Sequence, residues 1–210
     1  VWQAAALLRA GFGAMPDQSN LSRWTAEADT SASMGVLGQK IIDFNSQLMS
    51  VLIGHAHPKV VAAMKRQIDE LIFVYPQTAT QVRARLGKLM AEITPGDINT
   101  FFFTLGGAEA NENALRMAFK MTRRTRVVAV EGGFHGRTAA AGAITWGADK
   151  KWYEFPRTPF DVSWVPRRDI SAIAGTVGED VAAVIVEPVQ GVGGAFDMGA
   201  EFLAALRARC

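Results

Sequence analysis

Residues 101–123, FFFTLGGAEANENALRMAFKMTR, decide the fold of this chain. The apolar run at residues 101–103 predicts a short buried strand, and Gly106 and Gly107 predict a turn directly after it. The sequence after the turn predicts a helix, because apolar side chains recur at helical spacing on one face: Ala110, Ala114, Met117, Ala118 and Met121. A strand, a glycine turn and a helix in this order are typical of parallel strands covered by helices.

The rest of the chain repeats this alternation. Strands are predicted at residues 126–130, 162–165 and 181–186, because each is a short run of mainly apolar and β-branched residues. Helices are predicted at residues 58–72, 82–93 and 170–176 from their apolar periodicity. The sequence therefore predicts an α/β fold with a mainly parallel sheet that helices cover on both faces.

The first 57 residues differ from the rest of the chain. They contain turn-forming glycines and a proline, and within them residues 40–44 alternate in the way that predicts a strand. The helical pattern begins at Pro58, and proline suits a first helical turn because its missing N–H needs no partner there. We therefore expect an N-terminal segment at residues 1–57 and a larger unit at residues 58–210.

Composition and charge argue against several classes of function. The 210 residues are 49% apolar, which favours a buried core. The chain has 22 basic and 20 acidic side chains, and this near balance argues against a nucleic-acid partner. No apolar run reaches the roughly 18 residues of a membrane span. The single cysteine, Cys210, and the neighbouring histidines His55 and His57 lack zinc-ligand spacing. We therefore expect no metal, no membrane association and a cytoplasmic location.

The glycine turn at Gly106 and Gly107 is the first candidate site. Backbone N–H groups at the start of the following helix could converge on a phosphate, which the positive end of the helix dipole favours. The alternative is a tight turn that needs glycine only for its backbone angles. The segment matches neither G-x-x-x-x-G-K-[ST] nor G-x-G-x-x-G, so nucleoside triphosphate and dinucleotide sites lose support.

Two further loops follow predicted strands. The loop at residues 132–138 carries Phe134, which either stacks on a flat heterocycle or belongs to the core. Glu187 ends the apolar run at residues 181–186. A carboxylate at the end of a buried strand is costly unless it is paired, so Glu187 is either hydrogen-bonded structure or a site residue.

Four blocks of sequence in one order carry a resemblance to a known family. They lie at residues 43–58, 107–112, 134–138 and 187–191. With these blocks the chain resembles the first half of a class III aminotransferase of the omega group, a pyridoxal-phosphate enzyme of fold type I. The resemblance covers residues 36–210. It implies the first part of an α/β/α cofactor domain with an N-terminal segment of the small domain, and it implies a homodimer.

The resemblance also implies roles for individual residues. Gly107 and Ala108 would bind the phosphate of pyridoxal 5′-phosphate through their N–H groups, and Phe134 would stack on its ring. Glu187 would belong to the hydrogen-bond network beneath the ring, and His135 would shape the same wall. Met49 stands where the family commonly has an aromatic substrate wall, so we assign it to the substrate pocket.

Three departures from the family pattern bear on function. Ala108 stands where members usually have serine, which removes a hydroxyl contact to the phosphate. Val192 stands where many members have glutamate, which favours taurine, β-alanine or similar amines as donors and an oxo-acid such as pyruvate as acceptor. The lysine that holds the cofactor lies, in the family, beyond the block at residues 187–191. We therefore assign none of the seven lysines of this sequence to catalysis.

Two alternatives stay open at this point. A chain without the catalytic lysine could be a non-catalytic remnant or a partner-binding fragment. A decarboxylase or an aminomutase of the same fold would share all four blocks. The sequence predicts a transaminase first, as part of a longer chain.

Overall fold

The computed structural model describes residues 32–34, 40–42, 50, 52–75 and 77–210. Met49, the predicted substrate residue, lies outside them. The chain divides into two compact units between Thr80 and Gln81. The predicted boundary between residues 57 and 58 stays a prediction, and each unit is described by itself.

Within its described residues, the first unit contains one strand pair and one helix. Strand β1 (Ala32–Met34) pairs antiparallel with β2 (Lys40–Ile42), which confirms the first three residues of the predicted strand at 40–44. Helix α1 (Pro58–Glu70) begins after His57, whose carbonyl accepts the N–H groups of Val60 and Val61 at 3.0 Å. The proline occupies the first turn, as predicted.

The second unit begins with helix α2 (Gln81–Ile93), which confirms the prediction at residues 82–93. The hydroxyl of Thr94 donates to the carbonyls of Met90 and Ile98, at 2.8 and 3.0 Å. The Met90 carbonyl also accepts the backbone N–H of Thr94 at 2.9 Å, so Thr94 ties the end of α2 to the segment that follows it.

A three-stranded parallel sheet is the centre of the second unit. Strand β3 (Arg126–Val130) lies between β4 (Asp161–Val165) and β5 (Val181–Ile185) and runs parallel to both. Four of its five residues are buried. The strand is apolar without alternation because helices cover both of its faces, and this confirms the predicted strands.

The covering helices form two layers. Helices α3 (Gly107–Thr122) and α4 (Ala139–Ala143) lie on one face, where Leu115 packs with Val127 and Ala129. Helices α5 (Ile170–Thr176) and α6 (Ala200–Arg209) lie on the other, where Phe202 packs with Val128 and Val130. A short antiparallel pair, β6 (Val189–Gln190) and β7 (Phe196–Asp197), follows β5. The second unit is therefore an α/β/α sandwich, as predicted.

The predicted strand at residues 101–103 is wrong. The segment has no strand pairing within the described residues, and Phe102 and Phe103 are 66% and 43% exposed. A strand is stable only when a neighbour completes its hydrogen bonds and another layer covers its face. The apolar residues 101–103 show that the segment could be buried, but they do not show whether a neighbouring strand is present to pair with it.

The predicted apolar face of α3 is also wrong in its orientation. Met117 and Met121 on that face are 47% and 83% exposed. The side of the helix that packs in the core carries Leu115 and Phe119. Asn111 and Glu112 lie on the same side, one turn before Leu115, and bind the segment after β3. The face of α3 that is turned to the sheet is therefore not uniformly apolar.

Candidate functional site

The loops that follow β3, β4 and β5 lie at one edge of the sheet. Parallel strands end at the same edge, and ligands of open α/β sheets bind there. The loop after β3 carries Phe134 and His135, and the residue two positions after β5 is Glu187. The topology therefore brings together loops that are distant in sequence.

The N-terminus of α3 is open. The first hydrogen bond within the helix runs from the N–H of Ala110 to the carbonyl of Gly106 at 3.0 Å, so the N–H groups of Gly107 and Ala108 precede it. Gly106 provides no side-chain cap, and a Cβ atom added at Gly106 or Gly107 would meet no other atom within 4 Å. The predicted phosphate cradle is therefore accessible, with two N–H groups that the helix itself does not use.

The loop after β3 packs directly on this helix end. A Cβ atom on Gly136 would lie 2.5 Å from the Cβ of Ala108, and Gly136 has a φ of +132°, so the close approach and the backbone conformation both require glycine here. The Asn111 side-chain amide donates to the carbonyl of His135 at 2.7 Å. The first turns of α3 are thereby held against residues 135 and 136 of the loop.

Glu112 holds the other end of the same loop. One carboxylate oxygen accepts the hydroxyl of Thr138 and the N–H groups of Ala140 and Ala141, the last two at 2.7 and 3.2 Å. Thr138 is the N-cap residue of α4 and makes no side-chain cap of its own. Glu112 of α3 therefore caps α4 from a neighbouring element.

Glu187 joins the loops after β3 and β5. One of its carboxylate oxygens accepts the N–H of Phe134 at 2.7 Å, and the other accepts the N–H of Gly191 at 3.2 Å. The carboxylate that leaves the buried strand is thus paired with backbone donors, which offsets the cost of removing it from water.

His135 is buried, with 7% of its surface exposed. Its N–H group on the backbone donates to the hydroxyl of Thr145 at 3.0 Å, whereas its ring atom Nε2 has no hydrogen-bond partner within the described residues. Burial lowers the pKa of His135 more than the nearby charge of Glu187 raises it. The imidazole is therefore neutral near pH 7 and presents a polar atom whose burial is costly until a partner binds.

An exposed cation lies beside the aromatic ring of the site. The guanidinium carbon of Arg137 is 5.9 Å from the centre of the Phe134 ring. Phe134 itself is partly buried, so its ring is neither fully in the core nor free in solvent. A ligand bound against Phe134 would therefore lie close to a positive charge.

The structure brings together five of the predicted site residues: Gly107, Ala108, Phe134, His135 and Glu187. Sequence reasoning missed the parts played by Asn111, Glu112 and Arg167, which hold the loops. Asn111 and Glu112 lie within a quoted motif, and Arg167 follows β4 at the carboxyl edge of the sheet. Position at that edge is the signal that could have identified Arg167.

Two expected absences concern metal and membrane. Across the part of the chain that the structure describes, no group of three His, Cys, Asp or Glu side chains could hold a metal ion. No described helix is long and apolar enough to cross a membrane.

Comparison with known proteins identifies the family. The family described as Aminotransferase class-III matches residues 14–210. The chain therefore belongs to the class III aminotransferases, whose cofactor is pyridoxal 5′-phosphate. This agrees with the resemblance that the four sequence blocks carry.

Individual relatives agree with this assignment. The chain is 38% identical over 173 residues to an acetylornithine aminotransferase of Methanopyrus kandleri, covering 82% of this chain and 44% of that protein. It is 42% identical over 158 residues to the acetylornithine aminotransferase of Methanothermobacter thermautotrophicus, covering 75% of this chain and 40% of that protein. The chain thus spans less than half the length of these relatives.

Solved structures confirm the fold. The β-phenylalanine aminotransferase from Variovorax paradoxus is 27% identical, with a TM-score of 0.74 over 99% of this chain and 48% of that chain. An (S)-enantioselective omega-transaminase from Thermomicrobium roseum, 23% identical, shares the fold with a TM-score of 0.78, over 99% of this chain and 54% of that chain. The predicted fold class, part of an α/β cofactor domain of fold type I, is confirmed.

The capping role of Glu112 can be tested by substitution. Glu112→Ala leaves two N–H groups of α4 and the Thr138 hydroxyl without their acceptor, and we expect it to lower the free energy of unfolding by about 1–2 kcal/mol. Glu112→Gln keeps a carbonyl oxygen in reach and should cost less. Urea denaturation measures both. The control Glu92→Ala changes an exposed glutamate of α2, and a loss in Glu112→Ala no larger than in this control would contradict the capping role.

The lowered pKa of His135 predicts a pH dependence of stability. Because the folded pKa lies below the unfolded value of 6.5, the unfolded chain binds the proton first as pH falls. Stability should therefore decrease below about pH 6.5. His135→Gln removes this proton uptake while the backbone contacts remain, so its stability should fall less between pH 7 and about pH 5. Urea denaturation at each pH measures the two curves, and parallel curves would contradict the burial effect.

Proposed function

We propose that this chain supplies the first part of the active site of a pyridoxal-phosphate-dependent transaminase, which moves an amino group from an amine donor to an oxo-acid acceptor. The observation that carries the proposal is the meeting of an open helix N-terminus, an aromatic ring and an anchored carboxylate at one sheet edge. Because the chain covers 44% of a close relative, we also propose that the remaining site residues, including the lysine that holds the cofactor, belong to a longer protein.

The residues present fit the cofactor. The phosphate would bind the N–H groups of Gly107 and Ala108, where the helix dipole stabilises an anion. The cofactor ring would stack on Phe134. The Glu187 carboxylate accepts the backbone N–H of Phe134 and would therefore lie close to the ring. His135 Nε2, buried without a partner among the described residues, would gain one from the bound group. When bound, pyridoxal phosphate supplies the electron sink for the carbanion formed at the substrate carbon.

The chain's own residues would orient the reacting groups. Phe134 would orient the ring, and the Glu187 carboxylate holds the backbone of Phe134 through a 2.7 Å hydrogen bond. Arg137, exposed beside Phe134, would bind the carboxylate of the oxo-acid. Because the His135 imidazole is neutral near pH 7, it adds no positive charge that would compete with Arg137 for the carboxylate. These residues bind and orient, and proton transfer at the substrate carbon is left to the lysine.

We propose a donor with its amino group on a terminal carbon. Two observations support this class. The two relatives described above carry the name acetylornithine aminotransferase, and N-acetylornithine has one free amine, at its terminal carbon. Val192, in the loop after Glu187, favours ω-amino acids and amines such as β-alanine or taurine, with pyruvate as acceptor. N-acetylornithine is the first donor to test because the relatives that bear its name reach 42% identity.

We further propose a homodimer in the cytoplasm. Apolar side chains are exposed in each of the two units, among them Met64 and Ile68 of α1 and Met117 and Met121 of α3. Apolar surface of this kind is covered in stable proteins, either by further chain or by a second copy. The single cysteine of this sequence supports the cytoplasmic part of the proposal.

The activity can be tested with the protein encoded by the full reading frame. We expect it to bind pyridoxal phosphate and to turn yellow, to lose the colour on adding N-acetylornithine or β-alanine, and to regain it on adding pyruvate. Chromatography should show the amino group on the acceptor. Protein that binds no cofactor would overturn the proposal. Release of carbon dioxide from the donor without amino transfer would identify a decarboxylase instead.

The departure at Ala108 gives a gain-of-affinity prediction. Ala108→Ser returns a hydroxyl to the first turn of α3, and one added hydrogen bond to the charged phosphate should tighten pyridoxal phosphate binding by about tenfold. Ala110→Ser is the matched control, because residue 110 is exposed and its N–H is already bonded to Gly106. Titration of the cofactor-free protein measures both. Binding by Ala108→Ser that is no tighter than the parent's would contradict the phosphate cradle.

A further inference from the structure

Arg167 connects all three loops at the carboxyl edge of the sheet. It follows β4 by two residues, and its Nε donates to the side-chain oxygen of Gln190 at 2.7 Å and to the carbonyl of Glu131 at 3.2 Å. A terminal guanidinium nitrogen donates to the carbonyl of Gly193 at 3.2 Å. One side chain from the β4 loop therefore binds the backbone of the loop after β3 and two residues of the loop after β5.

Gln190 closes the same network. Its side chain is fully buried, and its amide donates to the carbonyl of Glu131 at 2.9 Å. The oxygen of that amide accepts from Arg167, so both polar ends of a buried glutamine are satisfied. The Glu131 carbonyl in turn receives two donors, one from Arg167 and one from Gln190. Such a network has one arrangement in which every member is paired.

The surroundings of Arg167 are shaped to admit its guanidinium. A Cβ atom on Gly193 would lie 2.6 Å from a terminal nitrogen of Arg167, and a Cβ atom on Gly132 would lie still closer to the Arg167 guanidinium. Both positions therefore clash with Arg167 unless they are glycine. The Arg167 guanidinium carbon also lies 4.7 Å from the centre of the Phe196 ring. Two glycines and an aromatic face thus fix the plane of the group.

The anchored residues lie close in sequence to the candidate cofactor residues. Glu131 is three residues before Phe134, and Gln190 is three residues after Glu187. The hydrogen bond between Phe134 and Glu187 spans the same two loops. Arg167 therefore binds the segment directly before Phe134 and the segment directly after Glu187.

We propose that Arg167 is a positioning residue for the cofactor site. It sets the distance and orientation between Phe134 and Glu187 without touching the cofactor itself. This role rests on the proposed function, since it concerns how the site receives pyridoxal phosphate. It goes beyond that function because Arg167 belongs to none of the motifs that identify the family in this sequence.

The experiment compares three variants of the full-length protein. Arg167→Met keeps the length of the side chain and removes all donors. Arg167→Lys keeps a charged donor that can reach some of the acceptors without the planar fork. Arg168→Met is the matched control, because Arg168 also lies over Phe196, at 5.0 Å, but donates to the carbonyl of Asp197 and not to the loops that carry Phe134 and Glu187.

Three measurements separate positioning from general stability. The dissociation constant of pyridoxal phosphate comes from titration of the cofactor-free protein. Circular dichroism at the cofactor's visible band reports how the bound ring is oriented. Thermal unfolding of the cofactor-free protein reports stability. We expect Arg167→Met to weaken cofactor binding by about tenfold and to change the visible band, Arg167→Lys to restore part of both, and Arg168→Met to stay within about twofold of the parent.

The possible outcomes are distinguishable. If Arg167→Met binds the cofactor as the parent does and keeps the parental visible band, the role of Arg167 is overturned while the proposed function stands. The same holds if only its unfolding temperature changes. If the parental protein binds no pyridoxal phosphate, the proposed function fails, and the positioning role that rests on it fails too.

Discussion

The parallel pairing of β3 with both β4 and β5 is the constraint on which the rest of the structure depends. It places three strand ends at one edge, so loops from distant parts of the sequence become neighbours. The helices that connect and flank these strands cover both faces of β3, so four of its five residues are buried. The polar groups of the candidate site are therefore supplied by the loops at this edge and by the helix end beside them.

Those loops are held by side chains that bind backbone groups of other loops. Glu187 accepts two N–H groups, Asn111 donates to the carbonyl of His135, and Arg167 donates to two carbonyls. Glycine-rich loops leave many backbone groups without partners in a sheet or helix, and each buried group of this kind needs a partner. The same contacts that satisfy the backbone therefore fix the geometry of the site, because removing one frees two segments at once.

Local patterns predicted the elements well, and non-local contacts explain the failures. Helix α5 was predicted at residues 170–176 and is found there, and β3 and β5 agree within one residue, because periodicity and apolar runs are properties of a few neighbouring residues. Residues 101–103 failed as a strand because pairing depends on another segment. Phe134 and Glu187 were found through motifs, but their hydrogen bond joins positions 53 apart. Nothing in local sequence could show that, or show that Arg167 reaches three loops.

The assembled site is electrically polarised, and this argues for one orientation of its ligand. The N–H groups at the start of α3 form a positive end. The Glu187 carboxylate forms a negative end, and burial keeps the pKa of His135 low, so the imidazole does not neutralise that carboxylate near pH 7. Residues 134–136 separate the two ends, since Gly136 packs on Ala108 and Phe134 binds Glu187. An anionic group of a bound ligand would therefore lie toward the start of α3 and away from the Glu187 carboxylate.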